Sequence, residues 1–262
     1  QAFQAPRLIY DYVDEIAAFE GDHAQMRSDH AKLVQEAELV IATADNLYRE
    51  VAILRPDALL CPNGADLEHF AQSAARNVPP PPDMEEVVKK GSPVVGYYGA
   101  LAQWFDYDLL QKLAISRPDL SFVLIGPDYD GTLPPALLDL PNISWLGVKP
   151  YAELPAYLRW IDVAMIPFKL NQITHATSPL KLFEYMAGGK PVVITPMHES
   201  MRIKGVLVAD GPEAFSRQLD EACRLRTTPD YLHLLDQTAR ENTWDARARQ
   251  ILAAISAKIQ YN

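Results

Sequence analysis

Three short apolar segments in the middle of the chain each end in a glycine. They span residues 94–99, 122–126 and 143–147. Runs of this length that are rich in β-branched and aromatic residues predict buried strands, and the segments between them have helical periodicity. Because consecutive parallel strands need a crossover that is usually a helix, this alternation predicts an α/β fold with a parallel sheet.

The three glycines have two interpretations. A glycine adopts positive φ at little cost, so each can simply allow the turn after its strand to close. Open parallel sheets, however, bind their ligands at the carboxyl ends of the strands. Three such turns in one domain favour a ligand cleft lined by backbone, and we expect Gly99, Gly126 and Gly147 to border it.

The chain divides into two predicted Rossmann-like units. Residues 1–70 contain three further strand segments and form a partial amino-terminal domain. Residues 71–92 include four consecutive prolines, which are typical of a stiff linker. Residues 93–242 form the second unit. The apolar stripe in residues 243–262 predicts a terminal helix that packs back on the first domain.

Charge and cysteine content narrow the class of protein. The 262-residue chain has a formal net charge of -10, which disfavours nucleic acid as a partner because phosphate backbones would be repelled. The two cysteines, Cys61 and Cys223, have no metal-binding or redox spacing and are interpreted as reduced thiols of a cytoplasmic protein. No apolar run approaches the roughly 20 residues of a membrane span.

The segment from His175 to Pro191 carries the clearest indication of chemistry. Ser178 and Pro179 are typical of the first positions of a helix. The free amides of Leu180 and Lys181 then lie at the positive end of the helix dipole, where they predict an anion site that suits a diphosphate.

Glu184 follows Ser178 by six residues, so its backbone lies about 9 Å further along the helix. The diphosphate and the ribose of one nucleotide are separated by a similar distance. A carboxylate at this position can accept hydrogen bonds from both ribose hydroxyls, and we expect it to face the cleft and be partly exposed. The alternative interpretation is a capped surface helix with a solvated glutamate.

The sequence from Ser178 to Val193 (SPLKLFEYMAGGKPVV) resembles the donor-site helix of GT-B glycosyltransferases. It is most similar to retaining, family 4-like enzymes of surface-polysaccharide synthesis. Residues 96–106, 10–15 and 62–66 are similar to a branch near the teichuronic-acid-type transferases. The resemblance covers nearly the whole chain and implies a GT-B-like fold with two Rossmann-like units, the first of them truncated.

The resemblance also implies roles for individual residues. Glu184 would bind the ribose, and the loop after Gly99 would approach the donor sugar or the diphosphate. Trp104 could line the donor pocket, whereas Asp106 is better interpreted as a helix cap. No metal or other cofactor is expected. The remaining implied donor contacts are Gly126 at a strand end, Gly147, Val148 and Lys149 near the base, and Thr177, Ser178, Leu180 and Lys181 near the diphosphate.

Three positions depart from the pattern of the family. Ala176 stands where the first glutamate of the E-x7-E signature is usual, and Ala100 and Phe105 stand where many members have Arg and Lys. A substitute cation could come from any of four residues, and the sequence does not choose among Lys181, Lys149, His175 and Arg202. The first part of the amino-terminal domain is also expected to be missing, which would leave an exposed sheet edge and favour a dimer.

The function predicted from these features is transfer of a sugar from a nucleotide-sugar donor to a saccharide or lipid-linked acceptor. The expected location is the cytoplasm, with peripheral membrane contact through the missing amino-terminal part. One alternative is a catalytically incompetent nucleotide-binding fragment or interaction domain. Another is a nucleotide-sugar epimerase of the same fold. A dehydrogenase is disfavoured because no G-x-G-x-x-G follows a strand.

Overall fold

The computed structural model describes residues 8–16, 21–74 and 78–260. The chain divides into two compact units. The first unit comprises the described residues up to Gly64, together with Asn171–Pro179 and the chain from Thr243 onward. The second unit comprises Ala65–Leu170 and Leu180–Asn242.

Strands and short helices alternate along the described chain. The elements are β1 (Ile9–Tyr12), α1 (His23–Glu36), β2 (Leu39–Ala42), α2 (Asp45–Ala52), β3 (Leu59–Leu60), α3 (Leu67–Ala71), α4 (Glu85–Lys89), β4 (Val94–Tyr98), α5 (Tyr107–Ser116), β5 (Ser121–Ile125), α6 (Pro135–Leu138), β6 (Ile143–Trp145), α7 (Leu154–Leu158), β7 (Val163–Ile166), α8 (Gln172–His175), α9 (Leu180–Ala187), β8 (Val192–Ile194), β9 (Val206–Val208), α10 (Gly211–Leu225), α11 (Pro229–Glu241) and α12 (Trp244–Gln260). None of these helices is both long and apolar enough to cross a membrane.

The first unit is built on a small parallel sheet with the strand order β1-β2-β3. Helix α1 begins after Asp22, whose side chain accepts hydrogen bonds from two amides of the first turn. Val40 is fully buried on the middle strand. The neighbouring side chains of Leu39 and Ile41 pack with Ile251 and Ile255 of α12, so the carboxy-terminal helix contributes to the core of this unit.

The second unit contains a six-stranded parallel sheet with the order β6-β5-β4-β7-β8-β9. Every residue of β4, β5, β7 and β8 is buried, as expected for strands covered on both faces. The predicted α/β class with parallel sheets is therefore confirmed. The strand order reverses between β4 and β7, and a crevice at the carboxyl ends of strands on either side of such a reversal is the usual ligand site of open parallel sheets.

The structure differs from the prediction around the four prolines. Pro82–Met84 form a 3-10 turn that leads directly into α4. Met84 and Val87 are buried in the core of the second unit, because the apolar side chains of this charged segment fall on one face. The described residues between 65 and 92, for which the sequence predicts the end of the first domain and a linker, group with the second unit.

Candidate functional site

A cavity of about 280 Å³ lies in the second unit where β4 and β5 end. The loops after these strands form one side of the cavity, and the first turns of α9 form another. The cavity therefore occupies the position beside the reversal of strand order where a ligand is expected. Seven residues predicted from the sequence line it, namely Gly99, Gly126, Val148, Lys149, Leu180, Lys181 and Glu184.

Four other predicted residues do not line this cavity. Trp104 packs on the core and contacts Tyr129, with their ring centroids 6.1 Å apart. Gly147 accepts a backbone hydrogen bond from Gly126 at 2.8 Å, so it supports the cavity through the neighbouring loop. Thr177 and Ser178 belong to the first unit.

The start of α9 differs in detail from the prediction. The helix begins at Leu180 rather than at Pro179. The Ser178 hydroxyl accepts a hydrogen bond from the amide of Asn63 at 3.2 Å. Asp106, in contrast, has the predicted role of a cap, since its carboxylate accepts a hydrogen bond from the amide of Leu109 in the first turn of α5.

Glu184 is the buried carboxylate of the cavity. Its side chain is on the cavity wall, but the residue is only 3% exposed. The hydroxyl of Tyr151 donates a hydrogen bond to Oε1 of Glu184 at 2.9 Å. The interpretation as a solvated surface glutamate is therefore wrong, and so is the expectation of partial exposure. Burial raises the pKa of Glu184, and the hydrogen bond from Tyr151 acts in the opposite direction.

Lys181 brings a positive charge to the same cavity. Its ammonium lies 5.6 Å from the ring centroid of Tyr97 and 5.4 Å from that of Phe168, which is the range of cation–π contacts. A Cβ atom on Gly99 would lie 2.8 Å from Cε of Lys181, so the lysine stem runs directly against the loop after β4. Burial lowers the pKa of Lys181, whereas the carboxylate of Glu184 raises it.

The other three candidate cations are placed differently. Lys149 lines the cavity, but its ammonium forms an ion pair with Asp83 at 2.6 Å and lies over the ring of Tyr157. His175 belongs to the first unit, and Arg202 ends a 3-10 turn beyond β8. Lys181 has no ion pair among the described residues, so its charge is not neutralised by direct contact with a carboxylate.

The three positions that depart from the family pattern hold apolar side chains with structural contacts. Phe105 is fully buried and packs edge-on against Tyr97, with centroids 5.0 Å apart. Ala176 is buried in the core of the first unit. Ala100 lines the cavity, and its carbonyl accepts a hydrogen bond from the hydroxyl of Tyr97. None of them supplies a charged group.

Sequence reasoning missed several residues of the cavity wall. Tyr98 is 3% exposed, and its buried hydroxyl lies next to the carboxylate of Glu184. Burial and the neighbouring carboxylate of Glu184 hold the pKa of Tyr98 well above its usual value. The missed residues belong to predicted strands, turns or a helix, and none of them was predicted to contact the donor, although Ala100 was noted as a departure from the family pattern. They are Tyr98, Ala100, Ile125, Pro127, Tyr151 and Leu154.

The described parts of the chain contain no cluster of three or more His, Cys, Asp or Glu side chains that could hold a metal ion. The polar groups that the cavity presents are instead a carboxylate, two ammonium groups, two tyrosine hydroxyls and backbone atoms. This set can bind a ligand that carries both hydroxyls and negative charge.

Comparison with known proteins identifies related sequences. The family described as glycosyl transferases group 1 matches residues 92–224. The protein TuaH of Bacillus subtilis (strain 168), named as a glycosyltransferase of teichuronic acid biosynthesis, is 27% identical over 238 residues. That match covers 87% of this chain but 59% of TuaH, so the chain spans less than two thirds of this relative.

Solved structures of low sequence identity share the fold. Anabaena Alr3699/HepE in complex with UDP-glucose aligns with a TM-score of 0.68 and 18% identity, covering 96% of this chain and 72% of that one. A glycosyltransferase from Rickettsia africae ESF-5 gives a TM-score of 0.68 and 12% identity over 97% of this chain and 71% of that one. The α,α-trehalose 6-phosphate synthase from Burkholderia multivorans aligns with a TM-score of 0.67 and 15% identity, covering 97% of this chain and 67% of that one.

Proposed function

Because this chain belongs to the glycosyl transferases group 1 family, we propose that the protein transfers a sugar from a nucleotide-sugar donor to a saccharide or lipid-linked acceptor. The second unit would bind the donor nucleotide, and the first unit would serve the acceptor. We also propose that the configuration at the sugar carbon is retained, because the helix around Glu184 resembles the donor-site helix of retaining enzymes. The UDP-glucose bound to HepE supports a uridine nucleotide, and the name of TuaH supports a role in the synthesis of a surface polysaccharide.

The buried carboxylate of Glu184 is the observation that carries this proposal. Burial of a glutamate raises the free energy of the folded state, and hydrogen bonds offset this cost only in part. Buried carboxyl groups with a raised pKa that border a cleft are concentrated at functional sites. Its position in a cavity at the carboxyl ends of strands suits a ribose, whose two hydroxyls can donate to the two carboxylate oxygens.

The diphosphate would bind next to the first turn of α9. Leu180 begins the helix, and Glu184 follows it by four residues, or about 6 Å along the axis. Free amides at a helix start favour an anion, and the protonated form of Lys181, which a bound diphosphate would stabilise against the effect of burial, adds a positive charge. The base would then contact the loop around Val148 and Lys149. Thr177 and Ser178 stay candidates for the diphosphate through the resemblance alone.

Lys181 also offers an account of the chemical step. In the transfer, the acceptor hydroxyl oxygen bonds to the sugar carbon and loses its proton, while the bond between that carbon and the diphosphate breaks. The electron pair of the broken bond goes to the diphosphate oxygen, and negative charge increases there. A fixed cation at the edge of a buried cavity stabilises that charge more than water would. We therefore propose that Lys181 takes over the role of the absent Arg and Lys, and that no divalent metal is needed for binding or transfer.

A second candidate function is nucleotide binding without transfer. Ala176 is buried among apolar side chains and provides no carboxylate at the position where the family usually has one. An assay with UDP-glucose would separate the two functions. Release of UDP that increases when a saccharide acceptor is added supports transfer, whereas tight binding with no turnover in any condition supports the second candidate.

Location and assembly follow from the same proposal. A lipid-linked acceptor would be reached at a membrane surface, so we propose a cytoplasmic protein with peripheral membrane contact. Strand β1 lies at an edge of the first sheet, and Ile9 on it is 39% exposed, which favours dimer formation through that edge. Vesicle co-sedimentation and sedimentation velocity measure these two properties.

Replacement of Glu184 by alanine tests the nucleotide site. The variant loses hydrogen bonds to a charged acceptor, each worth about 1.5–3 kcal/mol, so affinity for UDP, GDP or ADP should fall at least about tenfold. Affinity for inorganic pyrophosphate should stay the same. Glu86→Ala, which changes an exposed glutamate on α4, is the matched control. Calorimetric titration that finds the same nucleotide affinity in all three proteins would remove the ribose role of Glu184.

A further inference from the structure

Tyr151 connects the rim of the cavity to Glu184. It follows strand β6 and begins the 3-10 turn Tyr151–Glu153. The residue is 49% exposed, yet its hydroxyl reaches inward and donates to Oε1 of Glu184 at 2.9 Å. A half-exposed side chain therefore donates a hydrogen bond to a buried carboxylate.

His69 of α3 holds Tyr151 in this orientation. The two rings are stacked, with centroids 4.9 Å apart and an interplanar angle of 15°. Nε2 of His69 also lies 3.0 Å from the carbonyl oxygen of Tyr151. A carbonyl oxygen only accepts hydrogen bonds, so Nε2 carries the proton and donates it to this bond. Ring stacking and the backbone contact together restrict the rotamers that Tyr151 can adopt.

The hydrogen bond from Tyr151 leaves room for a ligand on the same carboxylate. An ionised carboxyl group has about four lone-pair sites, and Tyr151 uses one of them. The bond also opposes the effect of burial, which raises the pKa of Glu184 and favours the neutral form. A neutral carboxyl group would accept fewer hydrogen bonds from a pair of ribose hydroxyls than the ionised group does.

We propose that Tyr151 is a positioning residue for the donor nucleotide, which holds the Glu184 carboxylate oriented toward the two ribose hydroxyls and so selects ribonucleotides over 2′-deoxyribonucleotides. This inference rests on the proposed function, since it assigns the ribose to Glu184. Tyr151 itself acts through that carboxylate. The selectivity follows because a 2′-deoxyribonucleotide lacks the hydroxyl that donates to the oriented carboxylate, so one hydrogen bond to a charged group is lost.

The test uses Tyr151→Phe, which keeps the ring that stacks on His69 and removes only the hydroxyl. UDP affinity at neutral pH should fall about five- to tenfold, which is less than the loss of a direct hydrogen bond to a charged group would cause, because the Tyr151 hydroxyl acts on the nucleotide only through Glu184. The ratio of UDP affinity to 2′-deoxy-UDP affinity should shrink toward one. Tyr231→Phe removes a tyrosine hydrogen bond to the carbonyl of Gly205, away from the cavity, and is the matched control with both values unchanged.

The pH profile of UDP affinity separates positioning from general support of the fold. Affinity should decrease on acidification as Glu184 takes up a proton, and in Tyr151→Phe the decrease should begin at a higher pH. The other titratable groups that act on Glu184 stay the same in the variant. They are Lys181, His69, Tyr98 and Tyr185.

The outcomes distinguish this inference from the proposed function. If Glu184→Ala weakens UDP binding but Tyr151→Phe leaves both the 2′-deoxy ratio and the pH profile as in the wild type, the positioning role is wrong and the ribose site stands. An equal loss for both nucleotides without a pH shift also overturns it, because that is the signature of a structural residue. If Glu184→Ala changes nothing, the ribose site itself is wrong.

Discussion

The carbonyl oxygen of Gly99 lies so close to Gly126 that a Cβ atom on Gly126 would be 2.0 Å from it. Both glycines have positive φ, 136° and 141°. The amide of Gly99 also donates to the carbonyl of Ile125, the last residue of β5. The loops after β4 and β5 are thus joined backbone to backbone at the base of the cavity, and glycine is required for packing as well as for conformation.

Gly126→Ala should strongly destabilise the second unit. The substitution adds backbone strain to a steric clash with another backbone, and a clash of this kind is not relieved by rotating a side chain. We expect a loss of about 2–4 kcal/mol in the free energy of unfolding, measured by urea denaturation. Gly131→Ala is the control, because Gly131 also has positive φ but nothing lies within 4 Å of the added atom. Its loss should be near 1 kcal/mol, about the cost of the conformation alone. Equal losses in the two variants would contradict the packing argument.

The central strands of the second unit could be predicted from the sequence because each, such as β5, is a short apolar run rich in β-branched or aromatic residues, and several of these runs end in a glycine. The segment around Met84 could not. Four prolines indicate a stiff backbone, but whether the following Met84 and Val87 find a core depends on contacts that the local pattern does not contain. The prolines thus indicated a stiff backbone, but they did not show that the residues after them pack into the core of the second unit.

The cavity was predicted where chemistry and helix spacing act together, as for Lys181 and Glu184. Tyr151 escaped prediction because it meets Glu184 across 33 residues of chain, and a tyrosine in a turn has no distinctive pattern. Trp104 illustrates the opposite error. Its place after a strand suggested a pocket, but a large side chain there packs on the core and on Tyr129.

Lys181→Met should weaken binding of the diphosphate and leave binding of the nucleoside unchanged. Methionine keeps much of the apolar stem that packs between Tyr97 and Phe168 but removes the charge. Loss of a charge-assisted contact of about 1.5–3 kcal/mol predicts at least about a tenfold fall in UDP affinity. Affinity for uridine should be the same in both proteins. Titration of the exposed-lysine variant Lys112→Met provides the control, and a parallel loss of uridine binding in Lys181→Met would indicate a collapsed cavity instead.

Glu184→Gln should be more stable than the wild type at high pH. The folded-state pKa of Glu184 is raised, mainly by burial, whereas the unfolded chain titrates near about 4.3. Below the pKa of the unfolded chain, Glu184 is protonated in both the folded and the unfolded state, and it causes no pH-dependent change in the free energy of unfolding. As pH rises above it, the unfolded state ionises first, so the wild type loses stability until the folded-state pKa is passed. Glutamine stays neutral, and the Tm difference should therefore grow from near zero at acidic pH to a few degrees at pH 8, at about 2–4 °C per kcal/mol.

Scanning calorimetry between pH 4 and pH 8 measures this difference. Glu86→Gln is an instructive control, because the Lys89 ammonium lowers the pKa of Glu86. A lowered pKa stabilises the folded state above the unfolded pKa, so the sign of that small difference is reversed. A Glu184→Gln curve parallel to the wild type at every pH would show that the buried carboxylate imposes no electrostatic cost.

Removal of divalent metal should leave UDP binding unchanged. In the proposed site the positive charge comes from the Lys181 ammonium and from the amides at the start of α9, and neither depends on an ion. Titrations in the presence of EDTA and in excess Mg²⁺ should therefore give UDP affinities within about twofold of each other, with Lys181→Met weak in both. If Mg²⁺ increases UDP affinity tenfold or more and restores normal affinity to Lys181→Met, a metal ion rather than Lys181 binds the diphosphate. Lys181 and a Mg²⁺ ion would both neutralise the negative charge of the diphosphate. Titration of the wild type and of Lys181→Met, each with EDTA and with Mg²⁺, therefore shows which of the two contributes most to UDP affinity.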